Sequence, residues 1–104
     1  MKIAVIGCGA MGALYGGYLS RKNDVTLVDR NPERIAKIRR EGLIITEPNG
    51  TREIVHPGIT GDTSGMAPMD LVILFVKSMQ SEAALEKNRA LIGPDTYLMT
   101  LQNG

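Results

Sequence analysis

Gly7, Gly9 and Gly12 fit the spacing G-x-G-x-x-G, directly after the apolar run Ile3-Ala4-Val5-Ile6. Each glycine has its own physical task. Gly7 permits a tight turn, Gly9 lets a pyrophosphate approach the backbone, and Gly12 lets a helix pack closely on a strand. The helix that follows presents unpaired N–H groups and a positive dipole end to phosphates. Alone, this spacing is a weak signal. Here a strand precedes it, a helical pattern follows it, and Asp29 closes the next apolar run, about 20 residues on, where a dinucleotide fingerprint places its acidic residue. A glycine turn used only for packing leaves Asp29 unexplained. Cys8, at a variable position of the motif, reads as a small neutral spacer beside the phosphates rather than a redox thiol.

The residues after the second apolar run point two ways. Asp29 would accept hydrogen bonds from an adenosine ribose, which suits NAD. Arg30 could pair with a ribose 2′-phosphate, which suits NADP. A carboxylate beside that phosphate repels it unless Asp29 turns away. Residue types alone leave both open.

The elements that must position these groups follow from pattern. Residues 3–6 form a strand buried on both faces, and Ala10 to Arg21 a first helix, with Met11, Leu14, Tyr15, Tyr18 and Leu19 at helical spacing. Gly16 and Gly17 lower its propensity and are expected where the helix lies close to the sheet or, as the second reading, where a ligand or second domain passes nearby. Val25 to Val28 is a second buried strand. Asn31 is an N-cap and Pro32 a first helical residue, opening a helix to Glu41 that stops at Gly42, with Ile35 and Ile38 inward. Leu43–Thr46 and Arg52–Val55 flank an Asn-Gly turn and predict a β-hairpin. His56 to Pro68 reads as loop, and His56 is not expected to be catalytic. Leu71 to Val76 is the clearest central strand. Ser78 could cap a third helix running to Leu91, before Gly93-Pro94 and a last strand, Thr96 to Leu101. The expected fold is α/β, a doubly wound, mostly parallel Rossmann-type sheet with a hairpin insertion near residues 43–56.

In such a sheet, ligands bind beyond the carboxyl ends of the strands. Four segments should therefore converge on one rim: Gly7–Gly12, Asp29-Arg30, Lys77-Ser78 and Gln102-Asn103-Gly104.

The totals set limits. A chain of 104 residues is one domain by size, short for a complete dinucleotide enzyme. A net charge of +1 argues against nucleic acid as the main partner. The single cysteine excludes an internal disulfide and fits a reducing, cytoplasmic setting. No run is long enough to span a membrane, and no signal-peptide pattern opens the chain. No metal-ligand cluster is expected.

GCGAMG at the start, VDR closing the second strand, FVKS after the central strand and LQNG at the end together resemble ketopantoate reductase (2-dehydropantoate 2-reductase). The resemblance spans the whole chain but only the N-terminal part of that enzyme. It implies NADPH-dependent reduction of 2-dehydropantoate to pantoate, a step toward pantothenate and coenzyme A. By position, Gly7, Cys8, Gly9, Ala10, Met11 and Gly12 would carry the pyrophosphate, Arg30 would meet the 2′-phosphate and Lys77 would line the cofactor site. Asn103 would contact both nicotinamide and substrate. The resemblance favours NADP(H), and Asp29, which stands where the family commonly has a neutral residue, keeps NAD(H) open as the second cofactor. The family's catalytic lysine lies in a helical C-terminal domain, so residues 1–104 are expected to be a cofactor-binding part without a catalytic residue, inactive alone. Uncovered surface on such a part could lead to a homo-oligomer. Two other expectations are a related NAD(P)-dependent hydroxy-acid or polyol-phosphate dehydrogenase, and a non-catalytic NAD(P)-sensing module.

Overall fold

The computed structural model describes residues 1–7, 10–75 and 81–101. In chain order the elements are β1 (Lys2–Ile6), α1 (Ala10–Leu19), β2 (Asp24–Val28), α2 (Pro32–Glu41), β3 (Leu43–Thr46), β4 (Arg52–Val55), β5 (Gly58–Thr60), β6 (Leu71–Leu74), α3 (Ser81–Lys87) and β7 (Tyr97–Thr100). Five strands form one parallel sheet in the order β5-β2-β1-β6-β7, and β3 and β4 pair as a separate antiparallel hairpin. The chain therefore starts in the centre of the sheet, runs outward through β2 to β5, and crosses back to β6. That reversal at β1 is the topological switch point at which open α/β sheets bind ligands.

The apolar runs are buried as a two-faced parallel sheet requires. Ile3, Val5, Val25, Leu27, Ile59 and Ile73 form one core with Ile38 of α2. Ala4, Ile6, Val28, Val72 and Leu74 form the other with Leu91. Alternation along β1 sends neighbouring residues to opposite layers.

In α1 the glycines, not the large apolar residues, face the sheet. Gly12, Gly16 and Gly17 are buried, while Leu14, Tyr15 and Tyr18 are exposed. A Cβ on Gly16 would collide with Leu27, and one on Gly17 would come within 3.3 Å of Ile45 in β3. Close approach thus explains both glycines, while Tyr15 packs its ring against Phe75, just after β6, with centroids 5.5 Å apart. The helix also ends two residues before the expected Arg21, at Leu19.

Three further features differ from expectation. The segment read as loop after His56 contains β5, which pairs with β2 through Thr26↔Gly58, Leu27↔Ile59 and Val28↔Thr60. A three-residue edge strand beginning with glycine carries no apolar run to detect; its partner defines it. The third helix stops at Lys87, not Leu91. Asn88 turns the chain there, its Nδ2 donating to the Ala84 carbonyl at 2.8 Å and its Oδ1 accepting from the buried Thr63 hydroxyl at 2.7 Å. Leu91 closes a separate 3-10 turn and is fully buried. Finally, the apolar run in β7 is an exposed edge, with all four residues open to solvent. Val76 and the expected cap Ser78 lie outside the described residues.

Candidate nucleotide-binding site

The sheet register brings the strand ends to one rim. Ile6 pairs with Val28 on one side and Leu74 on the other, Leu74 with Thr100, and Val28 with Thr60. The segments after β1 and β2 therefore leave the sheet side by side. The strands leading to Lys77 and Asn103 end on the same rim, but both residues lie outside the described ones, as do Cys8 and Gly9.

After β1, Gly7 takes φ 86°, a conformation that side chains rarely adopt, and its N–H donates to the Val28 carbonyl at 3.2 Å. The turn is thereby tied to the end of β2. A Cβ on Gly12 would sit 2.8 Å from the Gly7 carbonyl oxygen, so the first turn of α1 rests directly on the glycine turn. Ala10 and Met11 open that helix. The elements thus stand in the order that the glycine spacing requires, with a helix N-terminus facing the space beyond the strand ends.

After β2, the chain is fixed by hydrogen bonds that run both outward and inward. The Asp29 N–H donates to the Thr60 carbonyl at 3.1 Å, extending the ladder toward β5. The Asp29 carboxylate is only 8% exposed. Its Oδ1 accepts from the Asn31 N–H at 3.0 Å and its Oδ2 from Arg34 Nη1 at 2.7 Å. Burial pushes this carboxyl up, but the hydrogen bonds from Arg34 and Asn31, together with the Arg34 charge, outweigh it and hold it below its ordinary value. Arg30 is exposed beside it.

The local sequence explains this arrangement. Asn31 has extended backbone and its side chain accepts from the N–H groups of Glu33 and Arg34, while Pro32 occupies the first helical position. Arg34 is therefore in the first turn of α2, where side chains lean back toward the N-terminus. That lean carries its guanidinium onto Asp29. The sequence reading did not single out Arg34. The available signal was a cation in the first turn of a helix, unfavourable against the dipole unless an acid offsets it.

His56 lies elsewhere. A Cβ on Gly42, at the far end of α2, would meet its Cε1 at 2.8 Å. Among the described residues, no three His, Cys, Asp or Glu side chains could share a metal ion. No helix is long and apolar enough to cross a membrane among those residues.

A central parallel strand, a glycine turn with positive φ, a helix seated on that turn and an acidic end to the neighbouring strand define a Rossmann-type nucleotide-binding domain. Residues 3–104 match the family described as "Ketopantoate reductase PanE/ApbA", and the chain belongs to that family. It is 36% identical over 106 residues to a 2-dehydropantoate 2-reductase of Halobacterium salinarum, covering 100% of this chain and 34% of that one. It is 35% identical over 105 residues to the enzyme of that name from Streptococcus pyogenes, with the same coverage. Among solved structures, the PanE/ApbA family ketopantoate reductase from Ralstonia eutropha aligns over 100% of this chain and 35% of its own, with TM-score 0.86 and 31% identity. D-mandelate dehydrogenase with NADH and anilino(oxo)acetate aligns over 100% of this chain and 34% of its own, with TM-score 0.86 and 37% identity. The chain spans about a third of the length of the curated relatives it matches.

Proposed function

We propose that this chain is the cofactor-binding part of an NADPH-dependent 2-dehydropantoate 2-reductase, which reduces the 2-oxo group of 2-dehydropantoate to pantoate in the cytoplasm. The observation that carries this reading is the seating of α1 on the Gly7 turn, beside the end of β2. There the N–H groups of Gly7–Gly12 and the helix dipole would receive the pyrophosphate. Asp29 and Arg30 would flank the adenosine ribose. Lys77 and Asn103 would approach the nicotinamide, and Asn103 the substrate. The domain would orient the nicotinamide, while the substrate and the proton donor would be held by residues beyond 1–104.

Isothermal titration provides the test. The chain should bind NADPH, and Arg30→Ala should weaken NADPH roughly tenfold, the scale of one lost charged contact, with a smaller effect on NADH. Equal weakening of both removes the 2′-phosphate role from Arg30. A side chain at Gly9 would occupy the pyrophosphate path, so Gly9→Val should abolish binding of either dinucleotide.

A second reading is an NAD-dependent hydroxy-acid dehydrogenase. Asp29 favours it, as does the likeness to D-mandelate dehydrogenase with NADH. Tighter binding of NADH than of NADPH would select it. The exposed edge strand β7, with Tyr97 at 77% exposure, supports self-association of the chain. A purely monomeric sedimentation profile would remove that part of the proposal.

A further inference from the structure

Asp29 and Arg30 make contradictory demands on a cofactor, and the structure contains a side chain that reconciles them. A ribose 2′-phosphate approaching Arg30 would also approach the Asp29 carboxylate one residue away, and like charges at such range repel strongly where water is partly excluded. The carboxylate does not project into the space beyond the strand. It is 8% exposed, with one oxygen on the Asn31 N–H and the other on Arg34 Nη1. The Arg34 side chain is 43% exposed, so it forms the solvent side of the pair. The more solvent-exposed member of this pair is consequently a guanidinium rather than a carboxylate.

The pairing has a built-in origin. Asn31 and Pro32 fix where α2 begins, and the first-turn position directs Arg34 back onto the end of β2. Asp29 itself is fixed by its N–H to the Thr60 carbonyl. Neither partner needs a ligand to find the other. The lowered carboxyl of Asp29 agrees with a pair formed in advance of binding.

We propose that Arg34 is a positioning residue for cofactor choice: it holds the Asp29 carboxylate at the start of α2, cancels the charge that would repel a 2′-phosphate, and leaves Arg30 to receive that phosphate. This inference rests on the nucleotide reading above. By the same logic, a variant without Arg34 releases Asp29 to accept hydrogen bonds from ribose hydroxyls, and preference moves toward NADH.

The test measures dissociation constants for NADPH and NADH side by side, with 2′,5′-ADP and AMP as minimal probes of the same phosphate. Arg34→Gln should weaken NADPH and 2′,5′-ADP roughly tenfold while leaving NADH and AMP within about twofold. Adding Asp29→Asn to Arg34→Gln should restore most of the NADPH affinity, because no carboxylate then remains to repel the phosphate. Arg34→Lys should keep the preference. A merely structural role would weaken all four ligands together. Proportional loss, or failure of the double variant to recover, overturns the proposal. If Arg34→Gln does not fold, as judged by circular dichroism, the ratio is read from Arg34→Met, which also removes the charge. An unchanged ratio in that variant overturns the proposal. Wild-type chain that binds neither dinucleotide overturns the nucleotide reading and this inference with it, whereas binding with an unchanged ratio overturns this inference alone.

Discussion

Asp29 gives the site its most definite pH dependence at the scale of single residues. Its folded carboxyl titrates below the ordinary value of 3.8. A carboxyl lowered on folding contributes stability that is complete above its unfolded value and is lost as pH falls through its folded value. Asp29→Asn should therefore lower stability at pH 7 by on the order of 1–2 kcal/mol, the scale of a hydrogen bond to a charged group. That difference should shrink in acid, below about pH 4, where the wild-type carboxylate also takes up its proton. Urea denaturation of both proteins at the two pH values checks it; a difference independent of pH would mean that the carboxylate charge is not what stabilises the strand end. Gly42 makes a second residue-scale case. It ends α2 at φ 75° and ψ −170°, a region essentially reserved for glycine, and a Cβ there would meet the Val55 carbonyl at 2.7 Å. Gly42→Ala should cost roughly 2–3 kcal/mol, read as a lowered urea midpoint. A near-neutral result would show that the junction between α2 and the hairpin can shift.

Among the elements, α2 does the most to shape the site. Its start is set by Asn31 and Pro32 and its end by Gly42, so its placement is local in origin. Its inner face, Ile35 and Ile38, anchors it on the core that includes Ile59 of β5. Arg39 adds a second tie, donating Nε and Nη2 to the Ile59 carbonyl at 3.1 and 2.9 Å. Asn31→Ala should cost about 1 kcal/mol through the lost cap, and should also loosen the Asp29–Arg34 pair that the cap positions. Thermal melts would show the first effect and the NADPH-to-NADH affinity ratio the second. A lowered melting temperature with an unchanged ratio would separate the cap from cofactor choice. Helix α1 achieves close packing differently, by presenting Gly12, Gly16 and Gly17 to the sheet and hairpin. Its exposed Tyr18 instead stacks under Arg21, whose guanidinium carbon lies 5.2 Å from the ring centroid. Arg21 also pairs with Glu47 and Glu53 of the hairpin.

For the whole molecule, one sheet does two jobs. Its interior strands supply both cores, and their aligned ends leave a rim of turns on a rigid support. Leu27 is central to this, fully buried and in the register of both β1 and β5. Leu27→Ala should destabilise by about 2–5 kcal/mol and weaken cofactor binding only through unfolding. If affinity at a temperature where the variant is fully folded also fell markedly, the rim would be less independent of the core than this architecture implies.

Much of this was legible in the residues themselves. The strands β1, β2 and β6 announce themselves as apolar runs, because a strand covered on both faces must be apolar throughout. The bounds of α2 and of the hairpin follow from short-range chemistry, an Asn-Pro start, a glycine stop and an Asn-Gly turn. The glycine spacing, read with Asp29, pointed to the candidate site. Tertiary structure alone decided the rest. Strand β5 exists because β2 offers it a ladder, α3 ends where Asn88 finds Thr63, and α1 turns its glycines inward because Leu27 and Ile45 occupy the space beneath. Above all, only the fold shows which way Asp29 points. Its residue type left two cofactors open, and its carboxylate was committed to Arg34 by the direction in which a side chain leans in the first turn of a helix.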